Sequence, residues 1–515
     1  MLLVGGAAVA VVAAMVGAPG ALAGTAPAPG WSGPASYVPL RTAVAAGGRD
    51  TRFGNVDYNG GPVMPSNTAY MVLWSPGGLS AYGSEYVSGI ERYFKDLAHD
   101  SGGSKNTNSV ATQYADATGA KVAYRISFGG VLLDTDPYPA SKCPVNSPVT
   151  HCVTDPQIQQ ELERVAAAHH IRSDLSHELF LLTPPHIESC FSANASASPA
   201  YGGCSAGEVP STLALYCAYH QQTTLSPMLF YANDPYVSGN PGCDDGNHPN
   251  GVSDGALEGG LSHELNESIT DPIPNDAWTN GAGANHGSEV GDQCGGQLGS
   301  PLGTAPDGAA YNQVINGHFY WYQEEWSNIG HTCLQRLTLP ATLPKATFTA
   351  TAGSGLSVTF NATGSTAPGG VADYVWQFNS KFGASTVEKT TPTISHTFPS
   401  AGAYSIGLTV YSANGTSAGA GAIVTTGHSG FTPGFTSTTS GRTVSFQGLA
   451  HISAKPVTTY LWEFGDGTTG SGPAPHHTYT TAGTYRVTVV EFSGIGSAFP
   501  GAGAAPIYTK KIRVS

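Results

Sequence analysis

The sequence predicts a disulfide-stapled α+β domain followed by two all-β sandwiches. Three observations lead there. All eight cysteines fall between Cys143 and Cys333, and none lies in the C-terminal third. Before that divide, apolar strands alternate with amphipathic helices. After it, short alternating strands separated by Gly, Ser and Thr take over and recur once in tandem.

An even cysteine number in an exported chain reads as disulfides formed in an oxidising compartment. The short Cys143/Cys152 and Cys190/Cys204 loops are the expected pairs, and without a Cys-x-x-Cys pair a Cys/His zinc cluster is not expected. Export is indicated by the apolar run Leu2 to Val16, too short to span a membrane comfortably, and by Ala21-Leu22-Ala23 before Gly24. Residues 1–23 are therefore expected to be a signal peptide and the protein secreted. Membrane contact is expected only through an uncleaved signal segment. No Lys or Arg precedes Arg41, which points to a start upstream of Met1.

Charged residues make up 11 % of the 515 residues and the formal net charge is −14, scattered rather than in runs, which excludes nucleic acid and anionic membrane as partners. There is no phosphate loop and no Gly-x-Ser-x-Gly elbow, so nucleotide-dependent and serine-hydrolase chemistry fall away as well.

Residues 24–60, rich in Ala, Gly, Pro and Ser, read as a linker or short pro-segment. The α+β domain is placed at 61–338. It opens with the strand Tyr70 to Trp74 and a helix carrying Tyr86, Ile90, Tyr93, Phe94 and Leu97. A second helix is expected from Asp155-Pro156, with Asp155 as its cap, and a strand follows from Glu178 to Thr183. The run Phe319 to Tyr322 with Trp326 reads as a late core strand.

The tandem units are placed at 344–427 and 431–515. Tyr374-Val375-Trp376-Gln377-Phe378, His396-Thr397-Phe398 and Ala401-Gly402-Ala403-Tyr404 recur as Tyr460-Leu461-Trp462-Glu463-Phe464, His477-Thr478-Tyr479 and Ala482-Gly483-Thr484-Tyr485. The second copy continues Gly465-Asp466-Gly467, so the pair resembles PKD domains, which implies immunoglobulin-like sandwiches with the Trp and Tyr side chains between the sheets. Asp466 is expected to cap its own turn. The first copy has Asn379-Ser380-Lys381 in place of Gly-Asp-Gly, which implies a remodelled hairpin.

The chemistry-bearing stretch is Leu261 to Pro272. On a helix His263 and Glu267 share a face and can reach one cation, with Glu264 beside them as general base toward an attacking water. Leu257, Leu261, Leu265 and Ile269 fall on the opposite side. The polar face is a metal site if it lines a cleft and a solvated surface if it faces water. The same five letters recur at Leu175 to Leu179 in a β-like run, so the tetrapeptide alone decides little. Gly287 to Cys294 is a glycine-flanked acidic loop that can supply a third ligand from Glu289 or Asp292, with Asp271 as a competitor. Such a carboxylate-rich donor set suits zinc and also admits calcium or manganese. Asp244-Asp245-Gly246-Asn247 is oxygen-rich but lacks EF-hand spacing.

From Trp74 to Asn328 the chain resembles a secreted zincin-like family with the pattern H-E-x-x-E-x-x-T-D-P followed by G-x-E-I-G-D-x-C, and more distantly the plant Exordium (phosphate-induced) proteins. The first resemblance implies a metal-dependent peptidase-like protein in which His263, Glu267 and Glu289 bind zinc and Glu264 is the base. The PKD pair would then hold it near an extracellular protein or a cell-wall or matrix polymer. The second implies a non-catalytic extracellular binding or adhesion protein in which the same helix is structural.

Overall fold

The computed structural model describes residues 55–116, 120–122, 124–140, 143, 149, 151–191, 203–205, 214–223, 228–280, 288–378, 386–399, 402–426, 434–449, 451–452, 455–456, 459–492 and 507–515. The export segment expected at 1–23 and the linker expected from Gly24 lie outside them up to residue 54. The described end of that linker, 55–60, is instead built into the fold. Strand β1 (Asp57–Tyr58) is buried and pairs with Trp278 and Thr279, because Val56 and Tyr58 carry apolar surface that joins the main core.

Next come β2 (Asn67–Trp74), α1 (Ser84–His99), α2 (Asn108–Ala111), β3 (Ile126–Asp134), β4 (His151–Thr154), α3 (Asp155–Ala168) and β5 (His177–Leu182). Thereafter follow β6 (Ile187–Cys190), β7 (Cys204–Ser205), β8 (Ala214–Tyr216), β9 (Tyr219–Gln222), β10 (Phe230–Asp234), α4 (Asp254–Ala256) and α5 (Ser262–Thr270). The central sheet has the order β3-β2-β5-β10-β9. Its first four strands are parallel and the edge strand β9 runs antiparallel to β10.

Successive side chains of β2 and β5 go to opposite faces, and both faces are apolar, as a covered parallel sheet requires. Met71, Leu73, Phe180 and Leu182 join α1 (Ile90, Phe94, Leu97) and the apolar side of α5 on one face. Val72, Trp74, Leu179 and Leu181 join α3 (Ile158, Leu162, Val165) on the other. The cap of α3 is Thr154 rather than Asp155, in a capping box with Gln157. Asp155 is turned inward, where it accepts from Tyr219 Oη at 2.8 Å and Gln159 Nε2 at 2.6 Å.

A second sheet, β4-β6-β7-β8, carries the Cys143–Cys152 and Cys190–Cys204 bridges expected from the short loops. Cys217–Cys243 and Cys294–Cys333 complete the set, and no cysteine is free. The late aromatic run is split between the strands His318–Tyr320 and Glu325–Ser327, with Tyr320 and Tyr322 fully buried.

The C-terminal third forms two sandwiches, each a three-stranded sheet against a four-stranded one. Trp376 and Trp462 are wholly buried between them, in aromatic cores with Phe360 and Phe446. Asp466 caps its turn by accepting from Thr468 N at 3.1 Å and also meets His477 Nε2 at 2.7 Å. The hairpin of the first copy at 379–381 lies outside the described residues.

Both sandwiches pack on the α+β domain. Tyr58 N donates to Thr409 Oγ1 at 2.8 Å, and a Cβ at Gly407 would collide with the Tyr58 carbonyl, so glycine permits that approach. Leu461 and Val490 of the second sandwich enter the main core. Among the described residues no helix is long and apolar enough to cross a membrane.

Candidate metal centre

Helix α5 is the continuation of α4 through a π-helical turn at Leu257–Leu261, where Gly260 has φ 151°, a region open to glycine. Ser262 Oγ donates to the Leu257 carbonyl at 3.0 Å across this turn. Gly259 gives the close approach to β10's end, since a Cβ there would lie 2.4 Å from Val237 Cγ2. Leu257, Leu261, Leu265 and Ile269 face the core as their spacing predicts. The polar face is not solvated: all nine residues of α5 are buried, with His263 at 1 % exposure and Glu264 and Glu267 at 0 %.

On that face His263 Nε2 lies 2.8 Å from Glu267 Oε1, without hydrogen-bond alignment, and 3.7 Å from Asp292 Oδ1. The acidic loop is anchored here by its backbone, with Gly291 N and Asp292 N donating to Glu267 Oε1 at 3.1 and 2.9 Å. Gln323 Nε2 donates to the Gly291 carbonyl at 2.8 Å and lies 3.0 Å from His263 Nδ1, with its Oε1 3.4 Å from the same nitrogen. The Gln323 amide thus holds the ring through Nδ1, and Nε2 faces the carboxylates.

A second imidazole, which the motif does not reveal, enters from the edge strand β9. His220 Nδ1 is 2.9 Å from Glu264 Oε2 and 3.5 Å from Glu267 Oε2, and its Nε2 is 3.2 Å from the Asp271 carbonyl oxygen. Glu289 lies on this side, 3.8 Å from His220 Nε2, rather than beside His263. The structure therefore brings His263, Glu267 and Asp292 together, and separately His220, Glu264 and Glu267. Asp271 is otherwise engaged: its carboxylate accepts from the backbone N–H groups of Asn275, Asp276 and Ala277 after the helix.

More carboxylates surround this pair than sequence spacing discloses. Glu178, Asp234 and Glu325 are buried near α5, and each has at least one side-chain oxygen with no hydrogen-bond partner. Glu178 belongs to the second Leu-Ser-His-Glu-Leu copy, on β5, where it accepts from Asn67 Nδ2 at 2.5 Å. Burial lifts it to about 7, and the Glu264 charge adds to the rise. Asp234, Glu289 and Glu325 are pushed well above the usual carboxylate range, first by burial and then by neighbouring acids that include Glu264 or Glu267. Burial opposes ionisation of Glu267 too, but His263 and His220 outweigh it and hold this carboxyl below its ordinary value. A cation relieves such a field, because buried charge without compensation is costly.

The donors fit a divalent ion. Glu264 Oε1 and Glu267 Oε2 are buried and accept no hydrogen bond, and imidazole with carboxylate is a donor set for zinc that also admits manganese. Two other acidic groups are otherwise engaged. Asp134, Asp136 and Glu161 surround Arg164, and Asp244 accepts from Gly239 N, Gly246 N and His248 Nε2.

The PKD domain model matches residues 345–423 and again 433–497. The C-terminal third is a pair of PKD domains. Solved structures similar to part of the chain include the PKD1 domain of the Vibrio cholerae metalloprotease PrtV, with 29 % identity over 16 % of this chain and 93 % of that one at a TM-score of 0.14. The PKD1 domain of Vibrio anguillarum Epp matches at 29 % identity over 16 % of this chain and 90 % of that one, also at 0.14. No curated protein matches the chain.

Proposed function

We propose that the α+β domain is a divalent-cation-dependent hydrolase of the peptidase type, working outside the cell and held at an extracellular protein or a cell-wall or matrix polymer by its PKD pair. The observation that carries this reading is the convergence of buried His263 and Glu267 with half-buried Asp292, next to buried Glu264 on the same helix. Zinc is the first choice, with manganese or calcium as the alternatives, and when bound the ion supplies Lewis-acid polarisation of a carbonyl and of a water.

The remaining work falls to the chain. His263, Glu267 and Asp292 hold the ion, and Gln323 orients the His263 ring through Nδ1. Burial raises the proton affinity of Glu264, and its unpartnered Oε1 accepts a proton from the attacking water. The paired cysteines and the PKD domains support an extracellular site of action.

Assay of the full chain on an unfolded protein substrate tests the base. Glu264→Gln should keep the ion on His263 and Asp292 and lose about 10²-fold or more of the rate; an unchanged rate sinks the assignment. A second reading, a structural cation in an Exordium-like adhesion protein, is favoured by the complete burial of Glu264 and Glu267. It predicts the same metal content and no hydrolysis in the wild type.

A further inference from the structure

The two imidazoles lie on opposite sides of one carboxylate. His263 Nε2 faces Glu267 Oε1, and His220 Nδ1 faces Glu267 Oε2. They do not belong to one set of mutually close ligand atoms; each forms its own three-member set, and Glu267 is the member common to both.

We propose that the centre holds two divalent cations bridged by the Glu267 carboxylate, one on His263 and Asp292 and the other on His220 and Glu264. This rests on the reading of α5 as a cation site. It extends that reading to a binuclear centre, in which the ions sit about 3.5–4 Å apart and act on the two sides of a hydrolytic displacement.

Two observations support the second ion. Glu267 Oε2 is buried, has no hydrogen-bond partner and lies 3.5 Å from His220 Nδ1, so it points unsatisfied into the space beside His220. His220 is placed like a ligand: its Nε2 meets the Asp271 carbonyl at 3.2 Å, and a cation would take the place of the proton that Nδ1 shares with Glu264 Oε2 at 2.9 Å.

Glu178, Asp234, Glu264, Glu267, Glu289 and Glu325 are all buried around the two histidines. A single divalent ion on His263 would leave Glu264 and Glu289 with the His220 imidazole as their positive partner, a place that a second divalent ion fills with twice the charge. Glu264 keeps its role in this arrangement, with Oε2 turned to the second ion and Oε1 left to accept the proton.

The test is elemental analysis of the full chain after saturation with zinc and exhaustive dialysis, for the wild type, His220→Ala and His263→Ala. The proposal expects about two zinc ions per wild-type chain and about one in each variant. One ion in the wild type, lost in both variants, overturns the second site and leaves the single-cation reading standing. No ion in the wild type overturns both. Should a variant fail to fold, electron paramagnetic resonance of the manganese-loaded wild type decides: a spin-coupled pair supports the bridge, and only isolated ions overturn it.

Discussion

Gly291 is glycine because an imidazole occupies the place of its side chain. Its backbone, φ −77° and ψ −46°, suits any residue, yet a Cβ would lie 2.7 Å from His263 Cγ. Gly291→Ala should therefore push the ring off Glu267 and weaken cation binding about 10–100-fold, the range seen when groups supporting a metal ligand are lost. Isothermal titration with zinc on the full chain checks this, and an unchanged affinity would show that the ring does not bind there. His263, Glu264 and Glu267 were legible from helical spacing alone, and Asp292 from a carboxylate loop anchored by Cys294. His220 was not, because Tyr219-His220-Gln221-Gln222 is an edge strand with no motif and all four residues buried. Its place among the carboxylates appears only when β9 is laid beside α5.

At the scale of elements, apolar periodicity located α1, β2, β5 and the tandem strands. It placed the leucine side of α5 correctly, but it gave no means of telling a solvated polar face from a buried one. That face is buried because β9, the acidic loop and the strand Glu325–Ser327 close over it, and all three are distant in sequence. The tandem units read more fully, since their Trp, Tyr and Asp-Gly positions are fixed by local packing and turn chemistry.

One strand of the second PKD domain carries a testable cost. Burial raises Glu491 on Gly483–Phe492 to about 7, against backbone donation from Leu449 and Gly434. A raised carboxyl favours the fold while protonated, so this contribution is present below the ordinary carboxylate range and lost as pH rises through about 7. Glu491→Gln should raise the melting temperature of this domain at pH 8 and give no gain at pH 5, as followed by differential scanning calorimetry. Equal shifts at both pH values would mean that the charge is not the cause.

For the whole molecule, eight paired cysteines and a mixed sheet give the α+β domain a core of its own, while the two PKD sandwiches dock on it through β1 and through Leu461 and Val490. The domain boundary near Arg336 was legible because cysteine disappears there. The docking was not, because it depends on small residues such as Gly407 whose purpose is set by a neighbour hundreds of positions away. If buried carboxylates around α5 are balanced by bound cations, those ions stabilise the α+β domain and leave the PKD domains unaffected. At a thousandfold excess of free ion over Kd that linkage is worth about 4 kcal/mol, a shift on the order of 10 °C for a domain of this size.

Calorimetric melting of the full chain, zinc-loaded, chelated and then reloaded, bears on this with the fewest assumptions. The cation centre predicts that chelation lowers the transition of the α+β domain by several degrees or more, that zinc restores it, and that the PKD transitions stay where they were. An α+β transition indifferent to chelator and to zinc would contradict it.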